Sequence, residues 1–199
     1  MTYSLFSCSR PLIALAITIM ATPFASALEQ PEYSVVASTD DVEIRVYEPH
    51  LVARSRVTGQ FERAGNVGFR VLANFIFGGN QEQQEIAMTA PVSQTPAGDN
   101  DYFITFMMPK EFTRQSLPTP NNTQIEVIEM PQHTVAAIRY RGGWSENRYL
   151  DHESRLLGFL EDNETWQQNG EPIWARYNPP IVPSFFRKNE ILVPVIRRR

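Results

Sequence analysis

Three histidines, His50, His133 and His152, are the first residues in the chain that could do chemistry. None lies at helical ligand spacing from another, so the zinc pattern of two histidines on one helix face is absent. A three-histidine zinc site would need tertiary convergence, for which the spacing gives no support. His50 and His133 each stand at the entrance of a strand-like run. A histidine there is ordinarily a turn or surface residue. Its sharper use is as a single axial ligand to haem iron, and His50 is the candidate. Met88, Met107, Met108 and Met130 lie on or beside strand-like runs. They read as core filler first and as thioether ligands second. There is no GxSxG, no P-loop and no GxGxxG opening a helix. No nucleophile, acid and base assemble into a set, so the chain reads as a binder and not as an enzyme.

Composition narrows the classes further. The chain has 199 residues, a net charge of −4, 42% hydrophobic and 20% charged residues. That describes one globular domain able to bury its own core. The acidic balance argues against nucleic acid as a partner, because phosphate recognition wants a basic surface. Arg10, the apolar run Pro11–Met20 and the Ala25-Ser26-Ala27 end form the pattern of a secretory signal peptide. Cleavage is expected after Ala27, leaving residues 28–199 as one domain with no stable membrane insertion. The only cysteine, Cys8, lies in the removed part. A cysteine-free product suits an oxidising compartment. The alanine-rich signal reads as bacterial, and the expected location is periplasmic or secreted.

The elements that must position any site come twice. Val42–Tyr47 alternates as a half-buried strand, and Leu51–Val57 follows as a second, ended by Gly59. Phe61–Phe77 reads as an amphipathic helix with Arg63, Asn66, Arg70 and Asn74 on its polar face. Gly65 and Gly68 weaken that helix by roughly 1 kcal/mol each relative to alanine. Their presence points to close approach of another backbone or of a flat ligand. Ile86–Gln94 and Tyr102–Met108 are the next strands. The order then recurs: strands at Ile125–Met130 and Thr134–Tyr140, a helix from Ser145 to Glu161, and strands at Ile173–Tyr177 and Ile191–Val195. Glu43, His50, Val52, Ala53, Arg56 and Gly59 recur at one constant offset as Glu126, His133, Val135, Ala136, Arg139 and Gly142. The pseudo-repeats span about 33–110 and 123–196. Aromatic residues gather near the first helix and near Pro179–Phe186, a proline-stiffened apolar loop. A stiff loop facing a glycine-containing helix makes a flat apolar cleft.

Three segments resemble the SOUL haem-binding family. They are Val42-Glu-Ile-Arg-Val-Tyr47; the stretch from Phe69 through Phe75-Ile-Phe-Gly-Gly-Asn80 to Ile86-Ala-Met-Thr-Ala-Pro-Val92; and Trp174-Ala-Arg-Tyr-Asn-Pro-Pro180 with Arg187-Lys-Asn-Glu190. The resemblance covers essentially all of Tyr33–Val195. It implies an α+β fold: duplicated strand-strand-helix-strand-strand halves forming a distorted antiparallel β-barrel of about eight strands, flanked by two α-helices. It also implies haem or tetrapyrrole binding between the first helix and the proline-rich loop. Carried over residue by residue, the site comprises Asn66, Phe69, Ala73 and Asn74 on the helix and Pro180, Ile181 and Val182 in the loop. Arg63, Arg70 and Arg187 are the candidates to meet propionates. The expected function is an exported, non-enzymatic haem carrier or buffer. The alternative is a module for another apolar small molecule or a protein partner.

Overall fold

A computed structural model describes residues 28–39 and 41–199. The expected signal peptide lies outside these residues. Strands β1 (Tyr33–Ser38), β2 (Val42–Tyr47) and β3 (His50–Thr58) lead into helix α1 (Phe61–Ile76). Strands β4 (Val92–Pro96), β5 (Asp101–Met107), β6 (Ile125–Met130) and β7 (His133–Arg141) lead into helix α2 (Glu146–Glu161). Strands β8 (Trp166–Gln168), β9 (Ile173–Arg176) and β10 (Lys188–Arg197) close the chain. Among the described residues no helix is long and apolar enough to cross a membrane.

All strand pairs are antiparallel, in the order β1-β2-β7-β10-β9-β4-β5-β3-β6, with β8 added against β10. The strand-strand-helix-strand-strand unit is used twice, and its halves meet where β4 pairs with β9. Each half takes its outer strand from the other: β2 pairs with β7, and β6 with β3. The sheet curls as a half-barrel. Its end strands, β1 and β6, have no hydrogen-bonded pairing with each other among the described residues. The distorted antiparallel barrel expected from the sequence is thus curled and not closed.

Ten strands form where about eight were expected, the two additions being β1 and β8. Every residue of β1 is exposed, so its backbone pairing with β2 holds it, not burial. Conversely, the strand expected from Ile86 begins only at Val92. The chain before it is irregular, held by Ala90 N–H donating to Glu29 O (2.8 Å) and Thr89 Oγ1 donating to Met107 O (2.7 Å).

Alternation along each strand sends one set of side chains to the helices and the other to the opposite face. On the helix side, Leu72, Phe75 and Ile76 of α1 pack with Leu51, Ala53, Ile104 and Phe106. Tyr149, Leu156 and Leu160 of α2 pack with Ile44, Ile138 and Ile191. Full burial of each large apolar side chain stabilises by about 1.5–3 kcal/mol. Gly68 lies against the Ile104 side chain so closely that a Cβ would collide. The close approach expected at this glycine is made by a side chain of the sheet, not by a backbone or a ligand. Gly59 and Gly142 end β3 and β7 at φ +147° and +146°. Both need glycine's freedom, and the repeat preserves it.

Candidate functional site

Alpha-helix α1 turns one stripe toward the loop that follows β9. Between them lies an apolar cleft of about 320 Å³. Gly65, Asn66 and Phe69 form its helix wall, and Pro179 and Pro180 form its loop wall. Met88, Trp144 and Arg176 are among its other lining residues. Of the expected residues, Asn66, Phe69 and Pro180 meet here. Phe69 is set by its ring contact with Phe106, at 5.4 Å between centroids.

The rest of the expected set lies around this cleft and not in its wall. Ala73 and Asn74 are about two turns along α1 from Asn66, roughly 10–12 Å at 1.5 Å per residue. Asn74 instead accepts the Gly79 N–H on its backbone carbonyl (2.8 Å) beyond the helix end. Arg70 points to solvent with no ion pair among the described residues. Ile181 is 87% exposed at the loop tip, and Val182 is half-buried. Arg187 is a clip for the loop. Its Nε donates to Val182 O and its Nη2 to Pro180 O, both at 2.7 Å, and its guanidinium lies over the Trp144 ring at 4.1 Å.

Sequence reasoning gave Arg176 no role and counted Trp144 only among the aromatic residues near the first helix and the loop. Arg176 is half-buried and has no carboxylate partner among the described residues. Its Nη2 donates to Gln94 Oε1 (2.6 Å) and its Nε to Tyr149 Oη (3.1 Å). Gln94 is held in turn, its Nε2 donating to Phe61 O (3.0 Å). The guanidinium sits 5.7 Å from the ring centres of Phe61 and Trp144. Gly65 makes the room: a Cβ there would stand 2.7 Å from Gln94 Oε1 and 3.0 Å from Arg176 Nη1. The buried Trp144 Nε1–H has no hydrogen-bond partner among the described residues. The available signal was local, since Arg176 follows the apolar Trp174-Ala175 pair at a strand end.

His50 is on the other face of the sheet. Leu51 and Ala53 face α1, whereas His50, Val52 and Arg54 line a second cavity of about 290 Å³. The structure does not bring His50 to the cleft, and no histidine lines that cleft. Of the methionines among the described residues, only Met88 reaches it, 37% exposed. His133 joins His50, with 5.8 Å between ring centres. Burial, and the charge of His133, hold the His50 pKa below its ordinary value despite the hydrogen bond its ring donates to the Glu48 carbonyl. His152 lies apart on α2, stacked on Tyr140 at 4.0 Å.

A buried ionic network underlies β9 and β10. Glu190 is fully buried and accepts from Arg45 Nη1 (2.9 Å), Arg45 Nη2 (3.2 Å), Arg139 Nε (2.9 Å) and Tyr177 Oη (2.6 Å). Burial alone would raise its pKa. Arg45, with Tyr177 and Lys188, outweighs burial and brings it down to about 2. Burial also pushes the Tyr177 phenol up, and the Glu190 charge adds to that. This carboxylate is fully engaged and has no spare acceptor role in ligand chemistry.

Comparison with known proteins completes the description. The model of one family, described as SOUL heme-binding protein, matches residues 28–194. Heme-binding protein 1 of Mus musculus is 26% identical over 126 residues, which is 60% of this chain and 65% of that protein. The matched stretch thus spans a little under two thirds of the mouse relative. Heme-binding protein 1 of Xenopus laevis is 23% identical over 156 residues, 75% of this chain and 80% of that protein. Among solved structures, the EcmrR C-terminal domain superposes with a TM-score of 0.61 at 14% identity, covering 83% of this chain and 99% of that one. A hydrolase from Listeria innocua gives 0.55 at 10% identity, over 81% and 94%. At these identities the structural likeness speaks to fold alone.

Proposed function

Because the chain belongs to the SOUL heme-binding protein family, we propose that it binds haem or a related tetrapyrrole in the α1–loop cleft, as an exported, non-enzymatic carrier or buffer. One observation carries this reading: a half-buried guanidinium, Arg176, without a carboxylate partner among the described residues, in a cleft otherwise mostly apolar. A planar apolar body with carboxylate arms suits such a place. Phe69, Met88 and Pro180 would take the apolar face. Arg176, and the unpartnered Trp144 indole N–H, would take a carboxylate.

The residues fit the group, though not as a tight axial site. Bound haem would supply iron chemistry, and Met88 is the one thioether at the cleft among the described residues. An iron held weakly there suits carriage or buffering better than electron transfer. Export rests on the signal-like residues 1–27 and the absence of cysteine after Cys8.

Haemin titration with albumin as competitor tests the reading. Saturation of the Soret change at one haem per chain, resistant to albumin and weakened in Arg176→Gln, is the expected result. A non-saturating change would reject it. The second reading, another apolar ligand or a protein partner, is favoured by Ile181, Phe185 and Phe186, 87%, 66% and 59% exposed on one loop. Thermal stabilisation by a different apolar ligand, with no Soret change, would establish it instead. Fractionation of cells producing the full chain tests the location.

A further inference from the structure

The cavity on the helix-free face contains a pair of histidines that the cleft does not use. The repeat makes them equivalent, and the open sheet brings them together: β3 begins with His50, and β7 begins with His133. Each ring makes the same bond. His50 Nδ1 lies 2.8 Å from Glu48 O, and His133 Nδ1 lies 2.8 Å from Pro131 O. A carbonyl oxygen only accepts, so each Nδ1 carries the hydrogen. In the neutral ring, each Nε2 then bears a lone pair. Neither Nε2 has a hydrogen-bond partner among the described residues. This is the outer-shell arrangement that orients a metal-ligating imidazole.

The spacing suits a shared ion. With a metal–nitrogen bond of about 2 Å and each nitrogen about 1 Å from its ring centre, two rings on one ion have centres about 5–6 Å apart. The observed separation is 5.8 Å. The neighbours add soft donors. Met130 is directly opposite His50 in the β3–β6 register, hence on the same face, and Met107 lines the same cavity. Tyr47 stacks on His133 at 5.5 Å and 10°. No cluster of three His, Cys, Asp or Glu occurs among the described residues, so a hard-donor or ordinary zinc set is not what this place offers.

Charge around the cavity is compatible with a cation. A polar groove of about 510 Å³ shares His50 and Met107 with it and carries Glu29, Glu32, Glu48 and Glu129 against Lys110 and Arg114. Such an approach concentrates cations. Arg54, inside the cavity, is paired with Glu126 at 2.9 Å. Glu171 also lines the wall.

We propose that His50 and His133, with Met130 and Met107, form a binding site for a soft transition-metal cation, copper(I), separate from the α1–loop cleft. Imidazole with thioether donors selects copper over zinc or magnesium.

The test is an anaerobic titration of metal-free purified protein with copper(I) against a chromophoric copper(I) chelator. One copper per chain is expected, with affinity at least tenfold weaker in His50→Gln and in His133→Gln. Copper binding retained in both variants, or none in the parent protein, overturns the proposal. So does zinc bound as tightly as copper and unaffected by Met130→Leu. A measurement on the unaltered protein guards against misfolded variants. Nitrogen-15 NMR should show copper(I) shifting the Nε2 signals of His50 and His133 and not that of His152. A shift at His152 alone, or at none, rejects the site. Haemin should leave the copper stoichiometry unchanged, and displacement of copper by haemin would refute a separate site.

Discussion

Arg45 and Glu190 are joined by two hydrogen bonds, of 2.9 and 3.2 Å, across an intervening strand. Arg45 is on β2 and Glu190 on β10, with β7 between them. Their side chains are 1% and 0% exposed. Ala137, their small neighbour on β7, pairs with Glu43 on one side and Leu192 on the other. The pair therefore ties the borrowed strand of one half to the closing strand of the other.

Glu190→Ala should destabilise the fold by about 3–5 kcal/mol, because it strands the buried Arg45 guanidinium. Thermal or denaturant unfolding measures this. Replacing both, as Arg45→Met with Glu190→Leu, should cost less than Glu190→Ala alone. Equal or greater loss in the double variant would mean that the pair is net stabilising and not merely costly to break.

Acid should act through the same carboxylate. Its pKa falls from 4.5 to about 2 in the folded protein. A lowered folded pKa gives stability that is present above the unfolded value and lost as pH falls toward the folded one. Unfolding midpoints should therefore hold down to about pH 5 and fall between about pH 4.5 and 2. Glu190→Gln should flatten that fall. An unchanged slope in Glu190→Gln would place acid sensitivity elsewhere.

The two helix glycines should separate stability from binding. Gly68→Ala drives a Cβ into Ile104. Overpacking of about 1–3 kcal/mol should exceed the roughly 1 kcal/mol gained in helix propensity. Gly65→Ala presses only on the Gln94 and Arg176 side chains, which can move. It should leave the melting temperature nearly unchanged and weaken haemin binding several-fold. Calorimetry and Soret titration on both variants check the split.

Arg176→Gln should lower haemin affinity by about tenfold, about what one charge-assisted contact contributes at a partly exposed site. Arg187→Gln should instead loosen the loop that Arg187 clips through Pro180 and Val182. Faster hydrogen exchange across residues 179–186 would report that loosening. Met88→Ala should alter the position of the Soret band, while His50→Gln should not.

Much of this molecule was legible in local pattern. Alternation marked β2, and helical periodicity marked α1 to within one residue of its end. The glycines ending β3 and β7 were readable because each strand must turn there, and the shared φ confirms one turn used twice. Strands β1 and β8 were not legible, because backbone pairing holds them with little burial, β1 against its neighbour β2 and β8 against the far end of β10.

By itself the sequence determined the duplicated strand-strand-helix-strand-strand unit and the amphipathic first helix, while the antiparallel barrel and the place of Asn66 and Phe69 in a site came with the family resemblance. The unit and the helix depend on period and on turn chemistry, which act over a few residues. Only the tertiary structure decided that Arg176 enters the cleft beside Gly65, that Arg187 clips the loop, and that His50 meets His133. Each of those depends on strand register and on which half lends its outer strand to the other. Such choices are made by long-range packing, where side chains far apart in the chain compete for the same buried space.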